Sequence, residues 1–320
     1  MKVLIADKFE DFGIAQLKEI ADQVVCEPTL EDEALAKRIA EFHPAVLIVR
    51  STKVQPPALD ASKELKLVIR AGSGFNTIDI AHAKQKGIKV ANCPGMNAVA
   101  VAELVIGHMI AIDRRLGDNL ADLRAHKWNK KLYSKARGLK GRTLGIVGAG
   151  AIGREVAKRA LAFDMHVLWF DVIPDMHVSD HPDCRRVQEL DDLFRQSDYV
   201  TLHVPELPQT KNMVDARRLA LMKPEAALIN TSRAGVVDEP ALIAALQAGK
   251  LRAAALDVYA NEPTANDPEI HSPLCDLPNA YGTHHIGAST DQAQLAVAEE
   301  TIRIVHEFKK TGQVLHCVNP

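Results

Sequence analysis

The feature that most constrains this chain is a glycine-rich turn between a short apolar strand and an amphipathic helix. Residues 144–147 form the apolar run, and residues 148–153 follow it directly with the sequence G-A-G-A-I-G. Asp171 ends the next predicted strand, 171 − 153 = 18 residues later. A G-x-G-x-x-G string has little weight alone, but in this strand–turn–helix–strand context it predicts a Rossmann-type dinucleotide site.

Each glycine in the turn has its own physical task. Gly148 permits the tight turn, Gly150 lets the backbone approach a pyrophosphate, and Gly153 lets helix and strand pack closely. The N-terminus of the helix then faces the phosphates. Asp171 is expected to accept hydrogen bonds from the adenosine ribose and to repel a 2′-phosphate, so the predicted cofactor is NAD rather than NADP.

Short β-branched runs alternate with helical patterns on both sides of residue 97, which predicts parallel sheets covered by helices. A chain of 320 residues is also long enough for two domains. We predict an α/β fold with a flavodoxin-like substrate domain formed by residues 1–97 plus 288–320, and a Rossmann-type NAD-binding domain formed by residues 98–287. A single long helix is expected over 98–125, and a last helix over about 289–310 is expected to pack back on the first domain.

The composition excludes several classes of function. A formal charge of −2 gives no electrostatic basis for nucleic-acid binding, and the longest apolar stretch, residues 98–112, is too short to span a bilayer. Five widely spaced cysteines suggest neither a disulfide framework nor a zinc site. The expectation is a cytoplasmic protein without a metal.

Three polar residues follow predicted strands in the second half of the chain, and they suit the chemistry of a 2-oxo acid. Arg233 can hold a carboxylate with its planar fork and polarise the adjacent carbonyl. His285 can give a proton to the carbonyl oxygen when a hydride reaches the carbon. Glu262 can stabilise the protonated imidazole. The predicted activity is hydride transfer between NAD and a small 2-hydroxy acid.

Each of these residues also has an ordinary structural interpretation. Arg233 could pair on the surface, Glu262 could begin a solvated loop, and His285 could be a hydrogen-bonded structural residue. His284 adds a second question, because adjacency alone does not say which imidazole faces the substrate.

Several motifs in order resemble the D-isomer-specific 2-hydroxyacid dehydrogenase family over nearly the whole chain. They include R-A-G-S-G-F-N from Arg70, L-H-V-P from Leu202, N-T-S-R-A-G-V-V-D-E from Asn230, A-L-D-V-Y-A-N-E-P from Ala255 and H-I-G-A-S-T from His285. The resemblance implies an NAD-dependent enzyme whose catalytic residues are Arg233, Glu262 and His285.

The resemblance also implies the remaining contacts. For the cofactor these are Ala151, Ile152, Val204, Pro205, Thr210, Thr231, Asp257 and Gly287, and for the substrate they are Arg50, Lys53, Ser73, Gly74 and Asn97. Two positions depart from the family pattern: Ala151 stands where an arginine is frequent, and His284 where a proline usually precedes the catalytic histidine.

The predicted substrate pair is 3-phosphoglycerate and 3-phosphohydroxypyruvate, the redox pair that leads to serine. Residues 49–54, V-R-S-T-K-V, are similar to a strand-end segment of family members that hold a phosphate there. Lys130, Lys131 and the C-terminal C-V-N-P also suit that subgroup. Reduction of glyoxylate or hydroxypyruvate is the alternative, and an NAD-sensing corepressor-like binding protein is the alternative from another class. The resemblance implies a homodimer formed through the helix that begins at Ala98.

Overall fold

The structure, a computed structural model, describes residues 1–263 and 269–320. The chain folds as two compact units, one formed by Met1–Asn97 with Ser289–Pro320 and the other by Ala98–Ala288. Each unit contains a parallel sheet with helices. The predicted α/β class with two parallel sheets is therefore confirmed.

The strands and helices follow one another in strict alternation over most of the chain. The strands are β1 Lys2–Ile5, β2 Gln23–Cys26, β3 Val46–Val49, β4 Leu67–Arg70, β5 Lys89–Asn92, β6 Thr143–Val147, β7 His166–Phe170, β8 Cys184–Arg186, β9 Tyr199–Leu202, β10 Ala227–Asn230, β11 Ala253–Leu256 and β12 Ala280–Gly282. The α-helices are α1 Asp11–Ile20, α2 Asp32–Phe42, α3 Pro56–Asp60, α4 Ile80–Gln85, α5 Ala98–Arg114, α6 Leu116–Arg124, α7 Lys130–Tyr133, α8 Ala151–Ala162, α9 Leu190–Gln196, α10 Ala216–Leu221, α11 Glu239–Gln247 and α12 Asp291–Thr311.

The sheet of the first unit has the order β2-β1-β3-β4-β5, all parallel, which is the flavodoxin-like order. All four residues of β3 are buried, as expected where helices cover both faces of a sheet. The C-terminal tail extends the edge beyond β5, where the Asn319 side chain accepts the N–H of Val90 at 2.7 Å and donates to the carbonyl of Ile88 at 2.9 Å.

The sheet of the second unit has the order β12-β11-β10-β9-β6-β7-β8, again parallel. The strand order reverses between β6 and β9, and ligands of open α/β sheets bind beyond the carboxyl ends of the strands at such a reversal. The glycine turn of residues 148–153 lies there, directly after β6. The topology thus brings the ends of β6, β7, β9, β10, β11 and β12 to one edge.

The prediction of a single helix over 98–125 is wrong, because the chain forms two helices there, α5 and α6, which are separated at Arg115. Arg115 has left-handed backbone angles, φ 50° and ψ 48°, and its guanidinium bonds the Asp118 carboxylate at 2.9 Å. Before the break α5 buries most of its residues, whereas α6 buries none within this chain. Leu116, Leu120 and Leu123 continue a helical apolar spacing beyond Arg115, so the sequence pattern does not reveal the break.

The last helix, α12, begins after Thr290, whose hydroxyl accepts the N–H of Ala293 at 3.2 Å. It ends at Gly312, which adopts a left-handed φ of 75°. These two caps fix bounds that lie within two residues of those expected. None of the described helices has the length and apolar character that a membrane span needs.

Candidate active site

The glycine turn after β6 has the geometry that a dinucleotide requires. Gly148 has a φ of 92°, and a Cβ there or at Gly153 would overlap backbone of the turn itself or of His203. Gly150 differs, because a Cβ on it would meet nothing within 4 Å. Packing within the protein therefore requires the first and third glycines, while the open space beside Gly150 is left for a ligand.

Asp171 lies beside this turn and holds it in place. Its carboxylate accepts the N–H of Ala149 at 2.8 Å and the N–H of Ile173 at 2.9 Å. The turn and the loop after β7 thus share one carboxylate, which carries the negative charge expected to meet a ribose. Helix α8 starts just beyond, with Gly150 as its N-cap residue and no side chain bonded to its first N–H groups. Its first residues, Ala151 and Ile152, leave those donors available to an anion.

Two buried polar atoms at the same edge have no hydrogen-bond partner within the described residues, namely Nδ1 of His203 and the hydroxyl of Thr231. They follow β9 and β10, whose ends are paired through Leu202 and Asn230. Buried polar groups are nearly always bonded, so these two atoms fit a site whose remaining partners come from a ligand. Together with the open space at Gly150, they show that the residues present suit a dinucleotide.

The loop after β9 contains three further predicted cofactor residues, Val204, Pro205 and Thr210. The Thr210 hydroxyl donates to the carbonyl of Pro205 at 2.6 Å and accepts the N–H of Leu207 at 2.8 Å. Both hydrogen bonds lie within the loop and hold residues 205–210 together. Val204 packs beside Gly148, at the strand-order reversal.

Glu262 and His285 form the predicted carboxylate–imidazole pair. Nδ1 of His285 lies 2.8 Å from Oε2 of Glu262. The two side chains remain 51% and 38% exposed, so the pair faces solvent. The N–H of Tyr259 donates to Oε1 of Glu262 at 3.3 Å and orients the carboxylate. A cavity of about 600 Å³ opens beside the pair. Since Nδ1 is occupied, Nε2 is the ring nitrogen available to a substrate.

The turn that carries His285 is held by a buried carboxylate, that of Asp257. Its two oxygens accept the N–H groups of Ile286 and Gly287, each at 2.8 Å, and Oδ1 also accepts the hydroxyl of Thr283 at 2.6 Å. His285 adopts a left-handed φ of 53°. Backbone N–H groups next to such a residue point towards one another and can bind an anion together, and here the carboxylate of Asp257 is that anion. Asp257 and Gly287, both predicted to contact the cofactor, therefore also fix the backbone of the histidine.

Arg233 follows β10, two strands from β12 in the sheet, and is partly buried. Its guanidinium donates to the carbonyl of Ser232 at 2.6 Å, and the side chain of Asn230 holds the Arg233 carbonyl at 2.9 Å. The loop is therefore ordered by its own residues. His284 is exposed and lines the cavity beside His285.

The residues predicted to bind substrate lie in the first unit, beyond the ends of β3, β4 and β5. The carboxylate of Asp7 accepts the N–H groups of Arg50 and Thr52 at 2.6 and 3.0 Å. Burial alone would raise the pKa of Asp7, but these hydrogen bonds lower it below its ordinary value. Arg50 also donates to the side chain of Gln294 at 3.4 Å, and Lys53 is exposed.

Ser73, Gly74 and Asn97 form the second part of that predicted site. The Ser73 hydroxyl donates to the Asn97 side chain at 2.7 Å, and the side chain of Asn92 donates to the Ser73 carbonyl at 2.6 Å. The loop after β4 and the segment after β5 are thereby joined. The carboxyl ends of neighbouring parallel strands bring these residues together.

Four supporting residues were not predicted from the sequence. Asp7 forms hydrogen bonds that shape a loop of the first unit, and His108, His203 and Thr283 form hydrogen bonds that shape loops of the second unit. Asp7 lies two residues after β1, at the strand-order reversal of the first sheet, and that topological position is the signal that could have identified it. His108 lies within an apolar helix pattern and carries no such signal.

Residues 106–287 match the family described as "D-isomer specific 2-hydroxyacid dehydrogenase, NAD binding domain". The chain is 43% identical over 284 residues to a hydroxypyruvate reductase of Thermotoga maritima, covering 88% of this chain and 89% of that protein. It is 38% identical over 310 residues to a D-3-phosphoglycerate dehydrogenase of Methanocaldococcus jannaschii, covering 95% of this chain and 57% of that protein. The chain thus spans little more than half of that relative's length.

A solved structure of similar fold is the D-lactate dehydrogenase of Aquifex aeolicus, complexed with NAD and lactic acid. It superposes with a TM-score of 0.84 at 28% identity, covering all of this chain and 99% of that one. The likeness therefore extends over both units and not only over the glycine turn.

Proposed function

The chain belongs to the D-isomer specific 2-hydroxyacid dehydrogenase family of NAD-dependent oxidoreductases, and we propose that it interconverts a D-2-hydroxy acid and its 2-oxo acid. The observation that carries the proposal is the contact of 2.8 Å between His285 and Glu262 at the carboxyl edge of the NAD-binding sheet. A carboxylate on one ring nitrogen leaves the other to exchange a proton with substrate. We assign the second unit to NAD and the first to substrate.

The residues of this chain have separate tasks in ketone reduction. Arg233 binds the substrate carboxylate through its fork and polarises the adjacent carbonyl. His285 donates the proton on Nε2 to the carbonyl oxygen, and Glu262 stabilises the imidazolium before transfer. When bound, reduced NAD supplies the hydride to the carbonyl carbon. In the reverse direction His285 accepts the hydroxyl proton.

For the cofactor, the turn at Gly150 and the N-terminus of α8 would hold the pyrophosphate, and Asp171 would hold the adenosine ribose. His203 and Thr231, whose buried polar atoms have no partner among the described residues, would offer hydrogen bonds to the cofactor at the same edge. Negative charge on Asp171 disfavours the 2′-phosphate of NADP. NAD is therefore the cofactor that this chemistry selects.

We assign 3-phosphohydroxypyruvate as the 2-oxo acid. Support comes from the relative of 38% identity that carries the phosphoglycerate activity in its name, and from two cations, Arg50 and Lys53, on one ordered loop of the first unit. Charge-assisted bonds from such a loop suit a phosphate. Hydroxypyruvate is the second candidate, favoured by the relative of 43% identity.

We further propose that the protein is a homodimer. Helix α6 exposes Leu116, Leu120 and Leu123 at 48%, 49% and 49%, and Trp128 beyond it is 82% exposed. Residues at i, i+4 and i+7 form one helix face, and an exposed apolar face of this size is characteristic of an interface. Sedimentation analysis of the wild type and of Leu120→Lys tests this: the wild type is expected to be dimeric and the variant to dissociate.

The activity is tested by NADH oxidation with 3-phosphohydroxypyruvate, hydroxypyruvate, glyoxylate and pyruvate. Turnover of at least one is expected, whereas turnover of none would support a binding protein that senses NAD. Arg233→Lys should raise KM and lower kcat, because a point charge does not reproduce the fork.

The substrate is identified by the double variant Arg50→Gln/Lys53→Gln. If the phosphate meets these cations, KM for 3-phosphohydroxypyruvate rises by about tenfold or more, equivalent to about 1.4 kcal/mol, while KM for hydroxypyruvate stays within twofold of the wild type, roughly 0.4 kcal/mol. Equal changes in KM for both substrates would contradict the proposal that Arg50 and Lys53 bind the phosphate. The matched control is Lys63→Gln, an exposed lysine of the same unit.

A further inference from the structure

A buried histidine on α5 is connected to the turn of His285 through two hydrogen bonds. Nε2 of His108 lies 3.3 Å from the Thr283 hydroxyl, and that hydroxyl lies 2.6 Å from Oδ1 of Asp257. His108 is 5% exposed and belongs to the same unit as the turn. It is not part of the cofactor turn or of the carboxylate–imidazole pair.

The directions of these hydrogen bonds follow from the groups involved. An ionised carboxylate only accepts, so the Thr283 hydroxyl donates its hydrogen to Asp257. The lone pairs of that hydroxyl then face His108, which must donate from Nε2. Burial lowers the pKa of His108, so the ring is neutral and its one N–H is placed on Nε2. The chain of donors runs from His108 to Thr283 to Asp257.

We propose that His108 is a positioning residue, which acts through Thr283 and Asp257 to hold the turn that carries His285. This inference rests on the role proposed above for His285. The turn needs such support, because His285 is not a glycine and its left-handed conformation is unfavourable for a residue with a side chain. Asp257 provides it by binding the N–H groups on the C-terminal side of His285, and His108 fixes the third donor on that carboxylate.

The choice of residue at position 108 agrees with this role. The neighbouring buried residues of α5, Val105, Met109 and Ile112, are all apolar. A polar ring among them costs free energy unless it forms a hydrogen bond, and an apolar side chain would fill the space without that cost. The imidazole forms a hydrogen bond to Thr283 in the turn that carries His285, so the polar ring supplies a contact to that turn.

The test compares two substitutions at one position. His108→Met fills the space without a donor, and His108→Gln keeps a side-chain N–H at similar reach. With the 2-oxo acid that the wild type reduces best, His108→Met is expected to lower kcat by about 10- to 100-fold, the effect of a small misplacement of a reacting group. The Kd of NADH should remain within twofold, and His108→Gln should recover most of the loss. Wild-type kcat in His108→Met would overturn the proposal.

A double-mutant cycle tests whether His108 acts through the hydroxyl. Thr283→Val removes the intermediate group, and Thr283→Ser is its control because it keeps the hydroxyl. If the two residues form one chain, the double variant His108→Met/Thr283→Val has the kcat of Thr283→Val alone. Multiplied losses would show independent roles and overturn the proposal. Thr283 is partly exposed, so its variants keep the test available if His108→Met does not fold.

A measurement without substrate separates this proposal from the proposed function. Nuclear magnetic resonance of ¹⁵N-histidine-labelled protein reports the N–H on Nδ1 of His285 directly, with His285→Asn identifying the signal. The signal is expected to weaken or exchange faster in His108→Met and to persist in His108→Gln. An unchanged signal in His108→Met would overturn the positioning role even if kcat falls. If the wild type turns over none of the four 2-oxo acids, the proposed function fails and the resonance still decides the role of His108.

Discussion

Oε2 of Glu262 lies 2.8 Å from Nδ1 of His285, and the remaining oxygen of the same carboxylate accepts the N–H of Tyr259. The hydrogen bond from the Tyr259 backbone therefore orients the carboxylate towards the ring. Glu262→Gln keeps the size of the side chain and removes the charge that stabilises the imidazolium. We expect kcat for ketone reduction to fall on the order of 100-fold, with the Kd of NADH unchanged.

Steady-state kinetics with fluorescence titration of NADH provides the check on Glu262→Gln. Glu269→Gln is the matched control, since Glu269 is an exposed glutamate later in the same segment. A loss of activity no larger than in that control would show that the ion pair does not contribute to proton transfer.

The three glycines of the turn provide a second prediction, because their surroundings differ. Gly150→Ala places its Cβ in open space, so folding should be unaffected while the Kd of NADH rises by about tenfold or more, equivalent to about 1.4 kcal/mol. Gly153→Ala forces a Cβ onto the backbone of Gly148 and should lower the free energy of unfolding by roughly 1–3 kcal/mol.

Urea unfolding and NADH titration of both variants distinguish the two effects. The prediction fails if Gly150→Ala destabilises the fold as much as Gly153→Ala, or if it binds NADH like the wild type.

The sequence was sufficient for the parts of the site that depend on local pattern. The turn at residues 148–153 has a strict spacing, and Glu262 and His285 could be paired because motif order matched a known family. The break at Arg115 was not predictable, since apolar residues continue on both sides of it. His108 could not be identified either, because its partner Thr283 lies 175 residues away and contacts it only in the folded chain.

Cofactor selection gives a third prediction, centred on Asp171. Its carboxylate carries a negative charge and also accepts the N–H of Ala149. Removing the whole side chain would therefore not separate the effect of the charge from the effect of the hydrogen bond. Asp171→Asn keeps an acceptor for Ala149 and removes the charge. The ratio of kcat/KM for NADH over NADPH should fall by about tenfold, equivalent to about 1.4 kcal/mol, mostly through improved use of NADPH.

Asp171→Ala is the comparison for that variant, since it loses both the charge and the acceptor and should weaken binding of both cofactors. An unchanged preference in Asp171→Asn would show that charge at this position does not select the cofactor.

His203 directly follows β9, and its titration makes the stability of the fold depend on pH. Burial lowers its pKa to about 3, and Nε2 bonds the Thr201 hydroxyl at 3.0 Å. In the unfolded chain an ordinary histidine titrates near a pKa of about 6.5. Because the folded pKa is the lower one, the unfolded chain binds more protons between these values, and stability rises with pH across that window. Equivalently, stability is lost as pH falls below about 6.5, with a slope approaching about 1.4 kcal/mol per pH unit.

The fourth prediction is that His203→Gln removes this part of the pH dependence. Glutamine can still bond Thr201 but does not titrate, so the free energy of unfolding of the variant should change less between pH 7 and pH 5 than that of the wild type. Urea unfolding of both proteins at several pH values, without NAD, measures the difference. Other groups titrate in both proteins alike and cancel in the comparison. Parallel pH profiles would show that His203 gains a proton in the folded protein as readily as in the unfolded chain.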